Sequence, residues 1–110
     1  MRFEVEFYEE NGRRPVEEFI LAQNDKMQSL IFRTIGLLED YGYELREPHS
    51  KYLEDGIFEL RCRQDNNTVR VLYFFMINKR VILTNGFVKK TQKTPRKELE
   101  KAKQIRKKCL

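Results

Sequence analysis

Histidine and cysteine are nearly missing from this chain: His49, Cys62 and Cys109 are all it holds in 110 residues. Two cysteines build no disulfide framework, and with a single histidine they make no zinc ligand set, so neither a metal nor another cofactor is expected. Apolar runs are short as well, none approaching the ~18 residues that a membrane-spanning helix requires. The opening segment Met1-Arg2-Phe3-Glu4-Val5-Glu6 alternates charge with apolar residues and lacks the apolar centre of a signal peptide. A reduced, cytoplasmic protein with no membrane partner is therefore the expectation. Internal repeats, low-complexity stretches and linkers are absent too. The length suits a single domain, 1–110, with one modest core.

The scarcest commodity of the second half is acid. Residues 61–110 hold 15 Lys/Arg against 3 Asp/Glu, whereas residues 1–60 hold 7 against 14. The overall charge of +5 thus conceals halves of −7 and +12. A single basic helix would be read as a solvated surface. An asymmetry across half the chain instead puts an anion-binding surface in residues 61–110, with nucleic acid as the polyanion.

What is present reads as one α+β domain of strand, two helices, three strands and helix. Phe3, Val5 and Phe7 alternate with polar neighbours, the pattern of a half-buried strand. Asn11-Gly12 marks a turn, and Pro15 suits the first position of a helix whose Val16, Phe19 and Ile20 share a face. Asp25 is a cap for a longer helix with the stripe Met27, Leu30, Ile31, Ile35 and Leu38, stopped by Gly42. The two helices form a hairpin expected to pack on Phe58, Leu60, Val71, Tyr73 and Phe75. Strands are expected from Ile57 to about Arg63, from Thr68 to Ile77 and near Arg80 to Val88. The middle one is apolar on both faces and should be central and doubly covered. Thr94 is the expected cap of a last helix starting at Pro95, with Leu99, Ala102, Ile105 and Cys109 inward.

Candidate site residues are basic. Glu59, Arg61 and Arg63 share one face of their strand, and Arg70 shares its face with Leu72 and Phe74. Whether Arg61 and Arg70 meet depends on hairpin register, since a slip of one residue would separate them. Directly opposed guanidiniums repel unless an anion or carboxylate lies between them, and Glu59 or Glu47 is the candidate structural partner of Arg61. The expectation is that both arginines share a face opposite the hairpin, with the chain after Val88 closing one side. Leu72 and Phe74 would then be partly exposed there, ready for a partner. Lys89, Lys90 and Lys93 leave the last strand beside the final helix, where ammonium groups and free helix N–H groups can hold a phosphate together. Arg63, Lys93, Arg96 and Lys97 extend this RNA-binding surface. His49, the one side chain titrating ordinarily near neutrality, and Lys51 are candidate general acid or base groups.

These residues resemble the HigB-like, phage-derived branch of the RelE/ParE toxin superfamily. The likeness is carried by Arg46-Glu47-Pro48-His49-Ser50-Lys51-Tyr52-Leu53, Gly56-Ile57-Phe58-Glu59-Leu60-Arg61, Arg70-Val71-Leu72-Tyr73-Phe74-Phe75 and Gly86-Phe87-Val88-Lys89-Lys90-Thr91-Gln92-Lys93-Thr94-Pro95. It implies a RelE-like small domain and the toxin of a type II toxin–antitoxin pair. Such a toxin is a metal-independent, ribosome-dependent messenger-RNA endonuclease that inhibits translation and arrests growth. The resemblance matches Arg70 to the arginine of the central strand, Lys89 and Lys90 to the basic residues after the last strand, and Arg61 to the Glu-Leu-Arg arginine. It further implies a helix-turn-helix, HigA-like antitoxin, messenger RNA and the ribosome as partners, with operator DNA reached through the antitoxin complex. Ile57 and Glu59 stand where RelE itself carries lysines. The alternatives are a ParE-like inhibitor of DNA gyrase and a non-catalytic nucleic-acid-binding module acting with an antitoxin.

Overall fold

The computed structural model describes residues 2–90 and 93–110. Along the chain come β1 (Glu4–Phe7), α1 (Pro15–Leu21), α2 (Asp25–Tyr41), a short 3-10 turn (Gly42–Glu44), β2 (Ser50–Glu54), β3 (Ile57–Gln64), β4 (Asn67–Met76), β5 (Arg80–Val88) and α3 (Arg96–Cys109). The strands form one mixed sheet in the order β1-β5-β4-β3-β2. β1 lies parallel to β5, and every other neighbouring pair is antiparallel.

The α+β class and the order of the expected elements hold, with one strand added. Ser50–Glu54 pairs with β3 through Ser50↔Leu60, Lys51↔Glu59 and Tyr52↔Phe58, so four strands follow the hairpin where three were expected. As an edge strand, β2 needs no continuous apolar pattern, because only one of its sides meets a neighbour.

Each face of the sheet is covered by different helices. On one face the hairpin buries Val16, Ile20, Met27, Ile31, Ile35 and Leu38 against Leu60, Val71, Tyr73, Val81 and Leu83. Phe58 and Phe75 pack at the margin of that cluster, as the strand alternation foretold. α2 is capped one residue earlier than expected: the Asn24 side chain accepts from the Met27 N–H at 2.8 Å, and Asp25 is already the first helical residue. It stops at Gly42, whose φ of +48° suits glycine, and a Cβ there would stand 2.0 Å from the Phe3 ring.

On the other face α3 lays Leu99, Ala102 and Ile105 over Ile57, Leu72, Phe74, Ile82 and Phe87. β4 is therefore central and doubly covered as expected, but Leu72 and Phe74 are fully buried (0% exposed each). Their anticipated exposure is overturned, since the apolar stripe of α3 takes the half of the sheet face in which they lie. Thr94 likewise does not cap α3. Pro95 occupies the cap position, and the Thr94 hydroxyl donates to Glu59 instead.

Arg96 and Lys103 of α3 grip Glu54 at the β2–β3 turn, with Arg96 bidentate at 3.1 and 2.9 Å. Hydrogen bonds from Arg96 and then Lys103 hold the Glu54 carboxyl well below its ordinary range, at about 2. A carboxylate with a depressed folded-state pKa stabilises above its unfolded value and loses that contribution as pH falls toward the folded one. The protein is thus expected to melt higher than Glu54→Gln above about pH 5, with the gap closing between pH 4.5 and about 2. Thermal melts of both proteins across that range check this; a gap that persisted at pH 2 would refute it. Among the described residues, no helix is long and apolar enough to cross a membrane.

Candidate nucleic-acid interface

Because α3 covers only part of its face, the rest of that face is left open. Antiparallel pairing sets Arg61 directly opposite Arg70, Arg63 opposite Thr68, and Arg70 opposite Phe87. Residues paired across strands project to the same side, so both arginines do share the face opposite the hairpin. Pro48, Arg61, Arg63, Thr68, Arg70, Lys89 and Lys90 line an open groove of about 620 Å³ on it. The chain after β5 forms one wall, where the Lys89 N–H donates to the Thr68 carbonyl at 2.8 Å.

Two facing guanidiniums require a counter-charge, and Glu59 supplies it. Its carboxylate is 1% exposed, accepts from Arg70 Nη1, and accepts from Arg61 Nε at 3.2 Å. Thr94 donates to the other carboxylate oxygen. Glu47, the alternative partner, reaches Arg61 only at 3.9 Å and is largely exposed. Arg70 is the deeper arginine, its side chain 7% exposed against 25% for Arg61. Among the described residues its buried Nε has no hydrogen-bond partner. Burial lowers the Arg70 pKa, against the opposing pull of Glu59, yet a guanidinium stays charged at any physiological pH. Lys89 is displaced downward as well, first by burial and then by the Arg70 charge.

The remaining candidates divide between this groove and its surroundings. Lys90 and Arg63 are exposed at the groove. Lys51, opposite Glu59 in the register, lines an adjoining cavity of about 340 Å³ with Arg61, Lys93, Thr94 and Arg96. Arg96 is engaged there by Glu54 and by Glu100 at 3.1 Å. Lys97 is exposed on the first turn of α3. His49 lines a cavity beside α2 with Leu30, Arg33, Thr34 and Leu37, and Arg61 and Arg63 reach the same cavity from β3. The His49 backbone carbonyl accepts from the Arg61 N–H at 2.8 Å. Tyr52 points with its partner Phe58 toward the hairpin face, and Tyr73 is core, its phenol pushed up to about 12 by burial. Among the described residues, no three of His, Cys, Asp and Glu gather as a metal site would require. The contribution that residue pattern alone undervalued is Thr94, read as a helix cap. The signal was its place in a segment returning toward the face that holds Glu59.

A five-stranded mixed sheet with a helical hairpin on one face and a cation-lined groove on the other defines a RelE-like small α+β domain. The family described as "Phage derived protein Gp49-like (DUF891)" matches residues 18–107, and the chain belongs to it. This is a toxin-like family related to RelE, usually found in toxin–antitoxin systems, where an antitoxin is the general partner. Curated proteins gave no match to the chain.

Proposed function

We propose that this protein is a HigB-like toxin that cleaves messenger RNA on the ribosome and is silenced by a helix-turn-helix, HigA-like antitoxin. The observation that carries the reading is the opposed pair Arg61 and Arg70, joined by Lys89 and Lys90 in one groove over a single buried carboxylate. With Arg63 also lining it, five cations against one anion leave the groove strongly positive, and an RNA phosphate is the ligand that balances it.

The chemistry follows from those side chains. A ribose 2′-oxygen gives up its proton and attacks the adjacent phosphorus, the bond to the 5′-oxygen breaks, and that oxygen takes a proton. Charge developing on the phosphoryl oxygens is held by Arg61 and Arg70, whose forks match phosphate geometry. The Nε of Arg70, a buried donor with no partner among the described residues, costs about 1–3 kcal/mol that an acceptor oxygen relieves. Lys89, its pKa lowered by burial and the nearby Arg70 charge, is the group for proton transfer, with Lys51 on the edge strand β2 as the second candidate. Arg63, Lys93, Arg96 and Lys97 border the path of the strand.

The test is to map 5′ ends on a message translated with the purified protein. New ends within the translated region are expected, disappearing without ribosomes and weakening steeply as salt rises. Intact message together with DNA breaks from added gyrase would replace this reading by gyrase inhibition. Intact message and intact DNA, with operator binding only alongside an antitoxin, would leave a non-catalytic module.

A further inference from the structure

The Glu59 carboxylate touches three things at once, and they belong to three separate parts of the chain. Arg61 lies two residues along β3, Arg70 comes from β4, and Thr94 comes from the segment between β5 and α3. No other carboxylate makes a hydrogen bond to either arginine among the described residues, and at 1% exposure water cannot take its place. An acid inside a basic groove opposes anion binding, because it cancels one of the charges an incoming phosphate would meet. A surface selected for affinity alone would not keep it there.

Building on the RNA-cleavage reading above, we infer that Glu59 is a positioning residue. It trades RNA affinity for orientation, fixing the Arg70 guanidinium and tethering Thr94 to the same oxygen pair. The geometry supports a division of labour. Arg70 would otherwise swing away from the like charge of Arg61 directly across the strand pair. With both guanidiniums referred to one carboxylate, their forks stay at a set separation, and charge stabilisation depends on such preorganisation. Thr94 donates to the second oxygen, so the residue just before α3 and the arginine floor share one anchor. Glu59 touches no substrate in this arrangement and acts through Arg70 and Thr94.

Glu59→Gln separates positioning from a purely structural role, because it preserves shape while removing the charge and turning one acceptor oxygen into a donor. It is expected to bind a non-cleavable single-stranded RNA more tightly, with the slope of log affinity against log salt steeper by about 0.7, as one more effective cation requires. Single-turnover cleavage on programmed ribosomes should fall on the order of 100-fold, the scale of a small misplacement of catalytic groups. Opposite movement of affinity and rate is something that lost stability does not produce. Thr94→Val removes the tether and no charge, so its rate should fall with the salt slope unchanged. Wild-type cleavage by a folded Glu59→Gln protein would overturn the inference. So would a fall in rate accompanied by a lower melting temperature and an unchanged salt slope, the mark of a structural residue. If the unmodified protein cleaves nothing, the RNA-cleavage reading fails by itself. Glu59 is then tested by the Arg61 Nε–H and Arg70 Nη–H signals, the two donors it accepts from. Their protection should vanish in Glu59→Gln, and protection retained there would refute the positioning role.

Discussion

Cells expressing Arg70→Ala are expected to grow as if no toxin were present, although the protein folds and still binds its antitoxin. Arg70 forms the floor of the groove and is its most buried cation. Deleting a preorganised donor of this kind typically costs about 10²–10³-fold in rate, and here the loss also frees Glu59 to neutralise Arg61. The fold survives because the Glu59 carboxylate keeps two of its three partners, Arg61 and Thr94. A stability loss of about 1–3 kcal/mol is the expectation for the broken contact. Arg70→Lys should be nearly as inactive, since an ammonium restores charge without the planar fork. Growth curves at matched expression, with co-purification of the antitoxin and a thermal melt, decide the matter. Full toxicity of Arg70→Ala would remove this residue from the site.

Phe74→Ala is expected to be the most damaging truncation, destabilising the protein by about 3–5 kcal/mol. Phe74 is fully buried in the cluster that fixes α3 to the sheet, with Leu72, Ile82, Leu99, Ala102 and Ile105 around it. Single domains are stable by only about 5–15 kcal/mol, so one such cavity consumes a large share of that margin. Loosening α3 also releases the grip of Arg96 and Lys103 on Glu54, and the β2–β3 turn should become susceptible to proteases. Urea unfolding of both proteins measures the effect. A loss below about 1 kcal/mol would mean that Phe74 collapses its cavity or that α3 is not anchored there.

Where pattern and physics point the same way, the chain was legible from its residues. The doubly apolar run from Val69 to Ile77 announced a central strand, and the stripes of α1 and α2 announced the hairpin and its partners. The opposition of Arg61 and Arg70 followed from strand alternation once the register was known. Register itself is a property of the turn at Asp65 and Asn66 and of packing on both sides, so the residues left two outcomes open. The edge strand β2 escaped because Ser50-Lys51-Tyr52-Leu53-Glu54 carries no alternating apolar signal. Its Lys51 and Tyr52 are exposed at the margin of the sheet. The burial of Leu72 and Phe74 escaped for another reason. An amphipathic helix declares which of its own faces is apolar but not which face of a sheet will receive it, and the basic residues around Arg70 suggested an open surface. Thr94 illustrates competition for one side chain, since a hydroxyl beside a proline is a credible cap until a buried carboxylate comes within reach.

The parallel pairing of β1 with β5 sets Glu4 beside Arg80 and Phe7 beside Leu83. Arg80 also clamps Glu6 through two hydrogen bonds of 2.7 and 2.9 Å. Contacts between residues so distant in sequence close late in folding, because a long loop must first be drawn in. During synthesis β1 therefore emerges long before its neighbour exists, and it waits through two helices and three strands. The strand that finally receives it runs directly into Lys89 and Lys90. Completion of the sheet and delivery of the lysine wall are consequently one event in time. A nascent chain that stops short of Arg80 has neither a finished scaffold nor its full set of cations, so an interrupted copy never completes the groove.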